Sequence, residues 1–335
     1  MIRKFIHKTL SLLRMGKNWC KRMVSSLIEA GRTISYIETI SPSQADSVHK
    51  AIKEIDYDLL RREFEHAVRK TLKKLNFKKV KLAIDGTEDP YWGKCGSFNT
   101  RAKVHVKSEE SWQYISLAIV EPYFVPLMSI PYRQVDDLDE ITIDLIKYAK
   151  TLPFEIELVL FDRGFYHAKL IDFLENRQGG KPTPYLILAP KNSKIKEYLS
   201  LSKEKVNSFH HEFKYSQDKS GWKPTTKIVT CMNIPWKPGK KPLDWCFATN
   251  QRSSLELIRI YKKRWNIETG FRIHDEARVK TKSSNPLIRY FYHLFSMVLI
   301  LAWRVRMSLK GLIVFKRFLR IVEFTLREQV DTAPT

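Results

Sequence analysis

The sequence predicts an α/β protein in which a helical region precedes a mixed sheet. Residues 1 to 77 place apolar side chains at spacings of three and four, which is typical of amphipathic helices. From Val80 onward, short apolar runs that predict strands alternate with segments that predict helices. With 335 residues, 43% of them hydrophobic, the chain can bury a substantial core, and a disordered protein is excluded.

The element order follows from these runs. The predicted strands are short and apolar, and they cover 80–84, 112–120, 123–130, 156–161, 185–189 and 245–249. The first run stops at Asp85-Gly86-Thr87, which predicts a turn. The predicted helices of this part cover 137–149, 166–176, 254–263, 267–276 and 286–309. Residues 191 to about 242, rich in Lys, Ser and Trp, predict a β-rich insertion.

This pattern divides the chain into three parts. We expect a helical, basic region over 1–77, an α/β domain over 78–310 that contains the insertion, and a C-terminal tail over 311–335. The run from Tyr290 to Trp303 is about 14 residues long, shorter than the ~20 that span a bilayer, and predicts a buried core helix. No membrane partner is expected.

The charge points to a polyanionic partner. The formal net charge is +23, from 59 Lys or Arg against 36 Asp or Glu. Residues 1–82 hold 19 basic and 8 acidic residues, a net charge of +11. Nucleic acid is the usual partner of such a surface, and the first region is then a DNA-binding module. A solvated helical face explains the same charge without a partner. The four cysteines are isolated, which excludes a zinc finger and a disulfide framework.

Three carboxylates stand where chemistry is expected. Asp85 and Asp162 each follow a buried strand, at the edge of the sheet where ligands bind in α/β folds. Tyr261, Arg264 and Glu268 are spaced by three and four residues and therefore share one face of a helix. Such a face can position a phosphate beside a metal. A turn residue, a helix cap or a local Arg–Glu ion pair explains each feature without catalysis. Glu88 and Asp89 are the alternatives to Asp85.

These motifs resemble the DDE insertion-sequence transposases of the IS-four type. That family has a ribonuclease H-like core and a helix signature of Tyr, two residues, Arg, three residues, Glu, six residues and Lys. Tyr261, Arg264 and Glu268 match its first three terms, and Asp275 stands in the place of the Lys. The segments IDGTEDPYWG around Asp85 and FDRGF around Asp162 also look like the family's motifs. The resemblance covers roughly residues 78 to 305.

The resemblance implies a catalytic triad and its cofactor. Asp85, Asp162 and Glu268 would bind Mg²⁺, or Mn²⁺ in its place, for DNA cleavage and strand transfer. Tyr261 and Arg264 would contact DNA phosphate. Lys280 is the favoured substitute for the missing Lys, and Arg272 and Arg278 are the alternatives. This substitution requires the helix to end or kink near Gly270.

The resemblance also implies partners and a location. The expected partners are double-stranded transposon ends and target DNA, bound by a dimer, in the nucleoid region of a prokaryotic cytoplasm. Two alternatives remain: a decayed or domesticated transposase that only binds DNA, which the aspartate at 275 favours, and a nuclease on the same fold.

Overall fold

The computed structural model describes residues 17–33, 35–93, 100–101, 110–175, 181–213, 224–235 and 240–331. Residues 1–16 of the predicted basic region lie outside this part of the chain. The four helices before the sheet are α1 (Lys17–Thr33), α2 (Ile37–Ile40), α3 (Pro42–Lys53) and α4 (Tyr57–Leu75). Asp56 caps α4 by accepting a hydrogen bond from the Leu59 amide at 2.6 Å, and the left-handed Asn76 ends it.

Strands and helices then alternate as the sequence predicts. The first part contains β1 (Lys79–Tyr91), β2 (Thr100–Arg101), β3 (Glu110–Glu121), β4 (Val125–Tyr132), α5 (Leu138–Lys150), β5 (Glu155–Phe161), α6 (Ala168–Glu175) and β6 (Tyr185–Leu188). A short 3₁₀-helix, Arg163–Phe165, follows β5. The second part contains α7 (Ser193–Leu201), β7 (Val206–Glu212), β8 (Thr225–Ile234), β9 (Leu243–Thr249), α8 (Glu256–Lys262), α9 (Trp265–Asp275), α10 (Pro286–Lys310) and α11 (Phe315–Asp331).

The described strands form one nine-stranded mixed sheet. Its order is β2-β3-β1-β5-β6-β9-β8-β7, and β4 pairs with β3 beside β2. The strands β1, β5 and β6 are parallel to one another, whereas β3 and β9 run antiparallel to the strands they flank. Parallel neighbours bring their carboxyl ends to one edge of a sheet, and this arrangement places the candidate site.

The predicted end of the first strand is wrong. The pairing of β1 with β5 stops after Ile84, but β1 itself continues to Tyr91, hydrogen-bonded to β3. Asp85 therefore lies within a strand, opposite Ser116, and no turn forms at residues 85–87. Tertiary pairing overrides the local turn preference of Asp-Gly-Thr.

The stretch over 191–242 contains strands, as predicted, but the strands that the structure describes there extend the main sheet. β7 pairs with β8, and β8 pairs with β9. The stretch also contains α7, which was not predicted. After residue 310, where the sequence predicts a tail, α11 packs on α1 through ion pairs such as Arg32 to Glu323 at 2.7 Å.

The long helix α10 is the centre of the helical layer. Among the described helices it alone is long and apolar enough to cross a membrane, but 89% of its apolar window is buried inside the protein. It packs against α4 and against β4. The interpretation of residues 290–303 as a core helix is thus confirmed.

Candidate active site

The two strand-associated aspartates lie on neighbouring strands. Ile84 of β1 pairs in parallel with Phe161, the last residue of β5, and Asp85 and Asp162 directly follow these two residues. The Asp85 side chain is 18% exposed, and one of its oxygens accepts a hydrogen bond from the Gly86 amide at 2.9 Å. The register therefore brings together two carboxylates that are 77 residues apart in the sequence.

The third group of residues lies where α8 meets α9. Tyr261 is in α8, Glu268 is in α9, and Arg264 is in the turn between them. The backbone at Arg264 stays helical, and its amide donates to the Tyr261 carbonyl, three residues earlier, at 2.9 Å. Tyr261, Arg264 and Glu268 thus face the same side, as the spacing predicts, although the turn is tighter than an α-helix.

Arg264 joins the carboxylates. Its Nη1 lies 2.5 Å from Asp85 Oδ2, and its Nη2 lies 2.7 Å from Glu268 Oε1. The Tyr261 hydroxyl donates to Asp162 Oδ1 at 3.4 Å, and the guanidinium lies 5.6 Å from the centre of the Tyr261 ring. Arg264 therefore bridges the predicted Asp85 and Glu268, and the predicted Asp162 joins the cluster through Tyr261.

The electrostatics of this cluster are strongly perturbed. Burial raises the pKa of Asp85 to about 6, because the opposing effect of Arg264 is smaller and the charges of Asp162 and Glu268 add to the rise. Burial by itself lowers the pKa of Arg264, but the charges of Tyr261 and the three carboxylates outweigh it and raise that pKa. Perturbed pKa values of this kind at a sheet edge are typical of functional sites.

The donor types fit a hard divalent cation, but their present arrangement does not enclose one. Mg²⁺ and Mn²⁺ prefer carboxylate oxygens, which Asp85, Asp162 and Glu268 supply. Among the described residues, however, no three His, Cys, Asp or Glu side chains are grouped closely enough to hold a metal ion. The Arg264 guanidinium lies between two of the carboxylates, and its Nε is buried without a hydrogen-bond acceptor. A metal at this place would have to displace Arg264.

A cleft of about 420 Å³ opens beside Asp162. Tyr261 and Arg264 form one side of it, and Lys191, Trp245 and Trp265 are among its other lining residues. Sequence reasoning missed these last three. Trp265 could have been found from the sequence, because it directly follows Arg264. Lys191 and Trp245 reach the site only through the pairing of β6 with β9.

The predicted helix break at Gly270 is wrong. α9 continues to Asp275, and Gly270 is buried against the ring of Phe124. Glycine is needed there because an added Cβ would lie 2.2 Å from that ring. Asp275 instead pairs with Arg278 at 3.1 Å.

Lys280 lies in a second cleft, away from the three carboxylates. Its backbone forms a parallel bridge with Tyr36, and the cleft also contains Asp89. Asp89 faces Arg278 and Arg289 at 3.4 and 3.6 Å. Glu88 accepts a hydrogen bond from Gln113 at 3.2 Å. Neither acidic alternative to Asp85 joins the Arg264 cluster.

Comparisons with known proteins bear on the fold and the family of the chain. The solved structure of the piggyBac transposase synaptic complex with hairpin DNA matches the whole chain with a TM-score of 0.62 and 14% identity, over 80% of that chain. At this identity the likeness shows the fold. No curated protein sequence matches the chain.

A family model described as the transposase DDE domain matches residues 133–302. The matched region begins after β4 and ends within α10, so it contains Asp162, Tyr261, Arg264 and Glu268. Because this match covers half of its 335 residues, the chain belongs to the transposase DDE domain family.

Proposed function

We propose that this transposase binds the ends of its element and uses a divalent metal to cleave and join DNA. The observation that carries the proposal is that Arg264 pairs with Asp85 and Glu268 while the Tyr261 hydroxyl contacts Asp162, so that the three carboxylates lie at one edge of the sheet. Three carboxylates in one partly buried place cost free energy, and a binding protein gains nothing from them.

Each side chain has a distinct role in this proposal. Asp85, Asp162 and Glu268 would hold Mg²⁺ or Mn²⁺, which when bound would supply activation of the attacking oxygen and stabilisation of the leaving one. Arg264 donates to the scissile phosphate through the planar fork that now faces two carboxylates. Tyr261 orients Asp162 through its hydroxyl and carries the guanidinium over its ring.

The finer family assignment rests on the same elements. We assign β4-β3-β1-β5-β6 to a ribonuclease H-like core, supported by the three parallel strands and by the aspartates within β1 and directly after β5. The Tyr261, Arg264 and Glu268 spacing supports the IS-four type. Asp275 is the departure from that type. Its carboxylate pairs with Arg278 at 3.1 Å, so it has no role in binding phosphate in this proposal.

DNA binding is assigned to the basic helical region over 1–77. The exposed cations at the end of α4, Lys73 and Lys74, belong to this surface. Because α4 packs against α10, deleting the region would expose the core, so charge reversal is the sharper test. Lys73→Glu with Lys74→Glu should weaken binding to duplex DNA and lower its salt dependence. We further propose a dimer that pairs two transposon ends, in the nucleoid region of a prokaryotic cytoplasm.

An excision assay tests the proposal directly. A donor plasmid carries the coding sequence with its native flanking DNA, and sequencing detects excision and new insertion junctions. Asp85→Asn, Asp162→Ala and Glu268→Gln should each abolish both products and leave duplex binding in a gel-shift assay largely intact. The matched control is Glu256→Ala, because Glu256 is an exposed acid on α8.

The outcomes separate the alternatives. Activity in Asp162→Ala would refute the assigned triad. A wild-type protein that binds DNA but yields neither product in Mg²⁺ or Mn²⁺ would indicate a decayed transposase. Cleavage without joining would indicate a nuclease.

A further inference from the structure

A second cleft, of about 340 Å³, lies between the end of β1 and the segment that follows α9. Its cationic side chains are Arg278, Lys280, Lys282 and Arg289, and Asp89 is the one acid among its lining residues. Its aromatic side chains are Tyr36, Tyr91 and Trp92. The cleft therefore combines positive charge with planar rings, the two features that a nucleotide needs.

Two of the cationic side chains already pair with acidic groups of the protein. Arg278 faces Asp89 and Asp275, at 3.4 and 3.1 Å. Arg289 is 6% exposed, lies 3.6 Å from the other oxygen of Asp89, and donates to the Ser283 carbonyl at 2.7 Å. These two arginines shape the wall of the cleft.

The two lysines differ from the arginines. Among the described residues, neither Lys280 nor Lys282 has a carboxylate within ion-pair distance of its ammonium group. The Lys282 ammonium lies 5.6 Å from the centre of the Tyr36 ring. The nearby Glu38 accepts hydrogen bonds from the Thr281 hydroxyl and the Lys282 amide, and so is engaged with the backbone of this segment. Both ammonium groups are placed for an external anion.

The aromatic side of the cleft is exposed. Trp92 follows the last residue of β1 and is 67% exposed, whereas Tyr91 is buried beneath the Arg289 guanidinium. A large exposed indole beside a concave basic surface is a stacking platform for any base. A volume of this size suits one small planar ligand rather than the width of a duplex.

The cleft lies in line with the candidate active site. Asp89 follows Asp85 by four residues on the same strand, whose pairing with β3 is regular there. The two side chains therefore share one face, about 13 Å apart. A few nucleotides of one DNA strand span this separation.

We propose that this cleft binds one unpaired nucleotide of a DNA strand that also passes the Asp85 site, with its phosphate on Lys280 and Lys282 and its base on Trp92. The proposal rests on the proposed function, because it takes DNA as the substrate. It differs in its test, since it concerns binding of single-stranded DNA and requires no cleavage.

The test measures fluorescence anisotropy of a labelled oligothymidylate of about 12 nucleotides, beside a duplex of equal length, with the full-length protein. Trp92→Ala should weaken binding of the single strand by about 5-fold to 150-fold. Trp92→Phe should retain most of the affinity, because it keeps an aromatic face. Lys280→Ala should lower the salt slope by about one contact. The matched control is Lys147→Ala, an exposed lysine on α5 that pairs with Asp144.

Three results would overturn the proposal. The first is a single-strand affinity of Trp92→Ala within twofold of wild type, and the second is an unchanged salt slope in Lys280→Ala. The third is an equal loss of affinity for the duplex and for the single strand in Trp92→Ala. The binding measurement separates this proposal from the proposed function. The loss of single-strand affinity in Trp92→Ala is expected even if the excision assay fails for every variant.

Discussion

Arg264→Met tests whether the guanidinium stands in for a metal ion. The substitution keeps much of the side-chain volume but removes the charge between Asp85 and Glu268. Without it, the three carboxylates face one another with no cation among them. We expect the metal-free variant to be less stable than wild type and to gain more from a divalent cation.

The two arms of Arg264 contribute unequally. The Asp85 arm is buried, with Arg264 and Asp85 side chains 7% and 18% exposed, and breaking a buried pair by removing one partner costs about 3–5 kcal/mol. In the pair with Glu268, the glutamate side chain is 51% exposed, so solvent screening limits the contribution of this pair to stability to about 0–1 kcal/mol. Arg264→Met should therefore lower the free energy of unfolding by about 3–5 kcal/mol, and Glu268→Gln by less than about 1 kcal/mol.

The assay is urea unfolding of the full-length protein, first with a chelator and then with Mn²⁺. A bound ion stabilises in proportion to RT ln(1 + [L]/Kd). In wild type the ion must displace Arg264, whereas in Arg264→Met it meets the carboxylates directly. The Mn²⁺-induced rise in the urea midpoint should thus be larger in the variant.

Arg259→Met is the matched control. Arg259 pairs with Glu256 on the same helical segment, but its side chain is 76% exposed, so its loss should cost less than about 1 kcal/mol and leave the Mn²⁺ response unchanged. The reasoning would be refuted if Arg264→Met were as stable as this control, or if Mn²⁺ stabilised wild type and Arg264→Met equally.

Three further predictions concern the scaffold of the site. Gly270→Ala should lower the free energy of unfolding by about 1–3 kcal/mol through overlap with Phe124, measured by thermal unfolding. The control is Gly164→Ala, whose added Cβ meets no atom within 4 Å and should change the stability little. Equal effects of the two substitutions would contradict the packing argument. Burial, aided by His274 and Arg278, lowers the pKa of His293 well below 6.5. As the pH falls, the histidine is therefore protonated in the unfolded chain before it is protonated in the folded one. The free energy of unfolding should then fall below pH 6.5 by up to about 1.4 kcal/mol per pH unit. His293→Gln should flatten this acid limb in urea titrations, and an unchanged limb would remove His293 as its cause. Asn285→Ala removes the acceptor for two amides at the start of α10 and should cost about 1 kcal/mol in the same measurement, whereas no loss would mean that water replaces the cap.

Local pattern predicted most elements because the strands and helices that bury one face carry a clear period. The apolar runs at 112–120 and 156–161 became β3 and β5, and the predicted helix at 267–276 became α9. The same pattern selected Asp85 and Asp162, since each follows a run of buried aliphatic residues. The spacing of Tyr261, Arg264 and Glu268 was sufficient to place them on one side.

The wrong predictions share a physical cause. The Asp85-Gly86-Thr87 segment prefers a turn in isolation, but β3 supplies backbone partners as far as Tyr91 and makes it a strand. Gly270 disfavours a helix locally by about 1 kcal/mol. The helix nevertheless continues through it, because a residue without a side chain leaves room for the Phe124 ring. In each case a contact with a residue distant in sequence outweighs the local preference.

The sequence by itself determined the α/β class, the two strand-associated aspartates and the Tyr-Arg-Glu face, because period and spacing are local properties of a chain. Only the tertiary structure decided that Asp85 and Asp162 are neighbours, since that depends on the parallel register of β1 and β5. It also decided that Arg264 ties Asp85 to Glu268, and that Lys280 belongs to a different cleft, with Trp92. These are contacts across many residues, and their free energies arise from burial and charge that no local pattern records.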